Sequence, residues 1–264
     1  MRVTAQASLL VALGLTGCVG FHPLNPSWGR GAADASDGTG ASGSPAVFTP
    51  PAWQTIGYSH EGRPLQVCRL GTGPRKVLFI GGIHGDEREG RITAAELPRA
   101  LAEIPGALDE VELVLLEDVN PDGTVQNTRG NSRGVDLNRN YPADNFKPSR
   151  FFGAEPLDQP EARALHDLLL REEPDLVIVL HSWRGDHFIN YDGPASHLAE
   201  RFAMLSHYRV RPSDSISPTP GSLGSWVGNG LKIPILTLEY ERGREPWAAW
   251  SETKDAILSV IRAD

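Results

Sequence analysis

Four short apolar runs limit what this chain can fold into. KVLFIG (76–81), VELVLLE (111–117), DLVIVLHS (175–182) and PILTLEY (234–240) are rich in Val, Ile and Leu. A strand with one wet face alternates apolar and polar residues, so near-continuous runs fit strands buried on both faces. Helical patterns lie between them. Residues 158–172 open on Asp158 and an early Pro160, then continue ALHDLLL at helical spacing. Residues 195–208 and 245–262 read as amphipathic helices, and 86–104 as a helix that Pro98 should end or kink. This alternation predicts an α/β fold: a doubly wound, mostly parallel (mixed) sheet with helices on both faces. One such domain over 53–264 is long enough to bury a full core.

The segment ahead of that domain reads as an address. Arg2, an apolar run from Ala7 to Leu15 and small residues before Cys18 form a signal-peptide pattern over 1–17. The run is too short to span a bilayer, which takes about 20 residues. Leu15-Thr16-Gly17-Cys18 resembles a bacterial lipobox, which makes Cys18 the expected lipidation site. Eleven of the 34 residues 19–52 are Gly or Pro. Residues 18–52 are therefore expected to form a flexible tether with a coil span of about 30 Å. The implied localisation is the bacterial cell envelope, lipid-anchored on the periplasmic face of a membrane. Val19 after the anchor points to the outer membrane. Once Cys18 is lipidated, Cys68 has no thiol partner in the chain. Within the alternating LQVCRL it is expected to pack as a small buried hydrophobe. A net charge of -8 excludes nucleic acid as the main partner, because that needs a positive footprint.

In open α/β sheets the site lies beyond the carboxyl ends of the strands. Three strand ends here carry His84 with Glu87, His181 and Glu239. His84 and Glu87 are three apart where a strand turns toward a helix, so both can face one point. With His181 they make a His₂Glu set, a known arrangement for catalytic zinc with an open fourth position. His187 is a rival third ligand, placed in a loop six residues further on. Arg129, Arg133 and Arg139 cluster with Asp136 inside an otherwise acidic protein, and arginine's planar fork matches a carboxylate. A phosphate-binding loop and a nucleophile-elbow serine have no support: 71–76 lacks the spacing and no G-x-S-x-G occurs.

These residues carry a resemblance. G-G-I-H-G-D-E (81–87), N-P-D-G (120–123), T-R-G-N (128–131), G-V-D-L-N-R-N (134–140), L-H-S (180–182) and T-L-E (237–239) stand in one order. The chain resembles the zinc carboxypeptidases of the M14 type, and among them the small bacterial murein peptide amidases. The resemblance implies one Zn²⁺ per chain on His84, Glu87 and His181, with Glu239 as the catalytic carboxylate. It implies Asn138 and Arg139 as the grip on a substrate's terminal carboxylate. It also implies Arg129 as the group that polarises the scissile carbonyl, with Arg133 as competitor, and Asp136 as the residue that orients a zinc histidine. Glu241, on the same strand face as Glu239, is the backup carboxylate. Two departures stand out. Asp86 replaces the arginine that pancreatic-type members carry between the two ligands, and could accept a hydrogen bond from an amine. The family's mobile active-site tyrosine has no match in 213–226, and neither Tyr191, Tyr208 nor Tyr240 is assignable to it.

The expected activity is zinc-dependent hydrolysis of a peptide bond near a free carboxylate terminus. The expected substrate is a peptide or muropeptide cut at a γ-D-Glu–diaminopimelate type of bond. Two alternatives stay open: a zinc acyl-amino-acid hydrolase of the aspartoacylase or desuccinylase kind, and a catalytically dead envelope lipoprotein.

Overall fold

The structure is a computed structural model that describes residues 51–216 and 219–263. The signal peptide, Cys18 and nearly all of the tether lie outside the described residues.

Eight strands form one sheet in the order β1-β2-β4-β3-β5-β8-β6-β7. They are β1 (Trp53–Tyr58), β2 (Pro64–Leu70), β3 (Arg75–Ile80), β4 (Val111–Leu116), β5 (Leu176–Trp183), β6 (Phe188–Asp192), β7 (Arg209–Pro212) and β8 (Ile235–Glu241). The four apolar runs are the parallel centre, β4-β3-β5-β8. The hairpin β1–β2 adds antiparallel to β4, and β6 adds antiparallel to β8. The sheet is thus mixed, with a parallel heart.

Period-two alternation splits each central strand between two cores. Val77, Phe79, Leu113, Leu115, Ile178, Leu236, Leu238 and Tyr240 face one side. There they meet helices α1 (Arg91–Ala102), α5 (Ser196–Ser206) and α6 (Pro246–Ile261) through Leu97, Leu101, Phe202, Trp250 and Ile257. Leu78, Ile80, Val114, Leu116, Val177 and Val179 face the other side, against Leu165, Leu168 and Leu169 of α4 (Pro160–Glu172). A one-turn helix, α2 (Ala107–Glu110), leads into β4, and α3 (Pro121–Gln126) follows it. Cys68 is buried within β2, and burial pushes its thiol up to about 12.

The first helical pattern needs correction. Residues 86–90 are not helical, and α1 begins at Arg91 and runs through Pro98 to Ala102. Residues 84–91 form tight turns instead, with Glu87 N–H on His84 O and Arg91 N–H on Arg88 O. Pro98 costs the helix one hydrogen bond, but Leu97, Pro98 and Leu101 are buried together, and that burial offsets the loss.

Candidate metal centre and active-site cleft

Strand parity decides which side chains reach the site. His181 shares the face of Val177 and Val179, and Glu239 shares that of Ile235 and Thr237, so both look toward the α4 side. His181 and Glu239 are register partners at the carboxyl ends of β5 and β8. The turn after β3 brings His84 and Glu87 to the same place. That turn depends on Gly85, where a Cβ would lie 2.0 Å from the Gly123 carbonyl carbon at the start of α3. The N-P-D-G motif builds this support: Asn120 caps α3 by accepting from Gly123 N–H at 2.9 Å, and Pro121 takes the first helical position.

The donor atoms of His84, Glu87 and His181 all lie within 4.8 Å of one another. His84 Nδ1 is 3.0 Å from Glu87 Oε1, and His181 Nδ1 is 2.9 Å from Glu87 Oε2 and 3.0 Å from His84 Nδ1. The far edge of the His84 ring meets Asp136 Oδ1 at 2.9 Å from Nε2. A carboxylate only accepts, so Nε2 carries a proton, and a ring that gives up its second proton would turn its Nδ1 lone pair toward the cluster. Two imidazoles and a carboxylate that converge on one point are a donor set that a divalent transition metal fits, its binding releasing the ring protons.

Asp136 ties several site residues together. Its Oδ1 also accepts from Asn138 N–H at 3.0 Å, and its Oδ2 accepts from Arg129 Nε at 2.9 Å. Arg129 Nη1 continues to Glu87 Oε1 at 3.0 Å. The Asn138 amide sits 3.1 Å from His181 Nε2 and accepts from Leu223 N–H at 2.9 Å. Arg139 spends one N–H on Asn138 O at 2.7 Å and lines the cleft with the rest of its fork.

Charge follows this geometry. Burial would lower His84, but Glu87 and Asp136 outweigh it and hold the ring up to about 9. Burial works against the Glu87 and Asp136 carboxylates too, yet His84 beside them holds both well below their ordinary range. His181 is lowered, chiefly by burial. Burial, then the charge of Glu87, pushes Glu239 up to about 8, and its Oε2 takes no hydrogen bond among the described residues. A buried carboxyl with a raised pKa and an unspent oxygen is equipped to hold a proton near neutral pH.

A cleft with about 100 Å³ of room for water-sized groups opens beside these groups. His84, Glu87, Arg129, Asn138, Arg139, His181 and Glu239 all line it. The rival residues do not. His187 packs at a tilt against Tyr208 with ring centres 4.4 Å apart, Arg133 is exposed away from the cleft, and Glu241 is exposed at the strand end. Tyr208 and Tyr240 are buried in the core, and among the described residues no tyrosine lines the cleft. Asp86 accepts from Arg242 Nη2 at 2.6 Å, so its charge is already met by a side chain of this protein.

Sequence reasoning missed the cleft wall made by Asn190, Asp192, Ser213 and Thr237. Thr237 was findable, since it lies two residues before Glu239 on one strand face. Asn190 and Asp192 share the spacing i, i+2 in FINYD, but that strand is only five residues long.

A family model described as zinc carboxypeptidase matches residues 52–230. The chain is 32% identical over 209 residues to murein peptide amidase A of Escherichia coli K12, a match covering 72% of this chain and 82% of the relative. The chain belongs to the zinc carboxypeptidase family. This carboxypeptidase-family chain also superposes on the crystal structure of murein-tripeptide amidase from Escherichia coli O157, with TM-score 0.65, 28% identity, and coverage of 83% of this chain and 94% of that one. It matches thrombin activatable fibrinolysis inhibitor with TM-score 0.66 over 80% of this chain and 67% of that one. At 19% identity that second likeness speaks for the fold alone. Carboxypeptidase D of Mus musculus is 32% identical over 197 residues, covering 57% of this chain and 13% of the relative. Family membership makes this carboxypeptidase-like protein a hydrolytic metallopeptidase, and its mixed sheet matches the fold of the solved relatives.

Proposed function

We propose that the protein is a zinc-dependent peptidase of the cell envelope. It would cut murein peptides at the bond between a γ-linked glutamyl residue and a diamino acid with a free carboxylate. The observation that carries this reading is the pairing of arginines with a polar cleft. Arg129 and Arg139 stand at the donor cluster, and the cleft beside them is walled by Asn190, Ser213, Thr237 and one acid, Asp192. Asp192 is held in place by Ser213 Oγ at 2.6 Å and Asn229 Nδ2 at 3.2 Å. A polar wall that carries one negative charge suits an amine-bearing side chain better than an apolar one. Identity to murein peptide amidases supports the same substrate class. The lipobox-like stretch at Cys18 supports an envelope location for it.

His84, Glu87 and His181 would hold the zinc. When bound, it supplies a Lewis acid and lowers the pKa of a coordinated water toward about 7. The protein's own groups then divide the work. Arg139 and Asn138 orient the terminal carboxylate, and the planar fork of Arg139 suits it. Arg129, fixed on Asp136, donates to the scissile carbonyl oxygen as negative charge develops there. Glu239 takes a proton from the attacking water and returns it to the leaving amine. The deciding experiment is digestion of purified muropeptides with mass-spectrometric readout, with and without a chelator. Release of a diamino-acid product that stops on chelation and returns with zinc is the expected result. No cleavage of any muropeptide by zinc-loaded protein would overturn the reading.

A further inference from the structure

Asp86 lies beside Glu87 in the turn after β3, and a guanidinium from the end of β8 meets it there. Arg242, three residues past Glu239, directs Nη2 to Asp86 Oδ2 at 2.6 Å, and its Nη1 stands 3.6 Å from Glu87 Oε1. The Asp86 Oδ1 atom is buried and takes no hydrogen bond among the described residues, so this carboxylate bonds through its other oxygen to Arg242. The backbone beneath Arg242 is pinned as well. Its N–H donates to Trp183 O at 2.8 Å, and Gly243 N–H donates to Glu89 Oε1 at 2.7 Å. Glu89 is itself buried and accepts from Ser182 Oγ with its other oxygen.

A cation held this firmly still has capacity to spare. A guanidinium carries five N–H groups, and 3.6 Å to Glu87 is too long for a hydrogen bond. The side chain keeps 28% of its surface exposed. The cleft walls include Arg129 and Arg139 but not Arg242. Arg242 therefore meets the donor cluster outside the cleft that takes the diamino acid, on ground left for the acyl half of a substrate.

Building on the murein-peptide reading, we infer that Arg242, seated on Asp86, is a specificity-determining residue that binds a free carboxylate on the acyl side of the scissile bond. A glutamyl residue joined through its γ-carboxyl keeps its α-carboxylate. That group lies four carbon–carbon bonds from the scissile carbonyl carbon, a span of about 5 Å when extended. A guanidinium one side chain away from a metal-binding glutamate is within that reach. Asp86 fixes where the fork points, and the edge of the fork not used by Asp86 offers paired donors to the incoming carboxylate.

The test uses two synthetic peptides, L-alanyl-γ-D-glutamyl-diaminopimelate and the same peptide with its glutamyl α-carboxyl converted to a carboxamide. The quantity read is the ratio of their kcat/KM values, with zinc content measured on each preparation. The wild-type protein should favour the free acid by about 10- to 100-fold, the range for one charge-assisted contact. Arg242→Gln should bring the ratio close to one by losing activity on the acid alone, and Arg242→Lys should fall between. Both substrates see the same fraction of folded, metal-loaded protein, so the ratio stays readable in a partly unstable variant. A wild-type ratio near one would overturn the inference. So would an Arg242→Gln protein that keeps the wild-type ratio or is silent on both peptides. A wild-type protein that cuts neither peptide fails differently: it removes the murein-peptide reading on which this inference stands.

Discussion

Asp136→Asn should weaken zinc binding and catalysis together. The carboxylate meets His84 Nε2 and Asn138 N–H on one oxygen and Arg129 Nε on the other, at 2.9, 3.0 and 2.9 Å. An asparagine can serve the first two donors through its carbonyl oxygen, but its NH₂ group then faces Arg129 Nε, donor against donor. The charge is lost as well. Two charges about 5 Å apart at an effective dielectric of about 20 interact by about 3 kcal/mol. Part of that loss is offset because a buried carboxylate no longer has to be desolvated. A net loss of about 1.5–3 kcal/mol corresponds to about 10- to 100-fold in zinc affinity, as for other partners that orient metal-binding histidines. Competition against a chromophoric chelator measures this directly for wild type, Asp136→Asn and Asp136→Ala. At saturating zinc kcat should stay about tenfold or more below wild type, because Arg129 has lost its anchor. An Asp136→Asn protein with wild-type zinc affinity to within twofold would refute the argument that this carboxylate fixes His84.

Glu239→Gln should lower kcat by at least about 10²-fold while zinc content stays at one per chain, since an amide cannot carry the proton; near-normal turnover would move the role to another group. Arg139→Ala should reduce kcat/KM on substrates ending in a free carboxylate far more than on amidated analogues, and equal losses on both would show that Arg139 does not read the terminus. Glu117 and Asp118 follow β4 with pKa values raised to about 7 and about 6, burial being the first cause in each. A raised carboxyl stabilises the fold below its unfolded pKa near 4, and that contribution is lost as pH climbs through 6 to 7. Glu117→Gln should therefore raise Tm at pH 7.5 relative to wild type and flatten the fall between pH 5 and 7.5, which a melting series would measure. Mass spectrometry of the native protein should find a diacylated Cys18 at the mature N-terminus, and an unmodified N-terminus elsewhere would refute the lipobox reading.

The parts of the fold that were legible in the sequence share one property: their pattern is decided locally. The four central strands are buried on both faces, so each shows as a run of Val, Ile and Leu whatever its neighbours do. Helices α4, α5 and α6 carry their own apolar stripes, and α4 and α6 each open on a proline. His84, Glu87, His181 and Glu239 were visible because strand ends concentrate polar residues after apolar runs. What stayed hidden depends on partners far away in the chain. Residues 86–90 have a helical composition but are held in turns, with Gly85 against α3 and Glu89 bonded to Ser182 and Gly243. No local signal announces that Arg242 will meet Asp86 across 156 positions. Strands β6 and β7 are short and only partly apolar, and the placing of β6 beside β8 and of β7 beside β6 is set by the sheet edge rather than by their own sequence.

The antiparallel course of β6 turns the cleft wall into a ladder of fixed spacing. Phe188 stands opposite Glu239, Asn190 opposite Thr237, and Asp192 opposite Ile235, and directly opposed residues show their side chains on one face. Each rung lies two residues below the last, about 7 Å at the rise of an antiparallel strand. Depth is therefore quantised: the rung that bears a polar group sets how long a side chain must be to reach it. Exchanging the negative charge between Asn190 and Asp192 would change the accepted length by one rung without altering the cleft mouth. A protein built this way can be retuned for longer or shorter substrates by a pair of substitutions on a single short strand, while the residues that do the chemistry remain where β5 and β8 hold them.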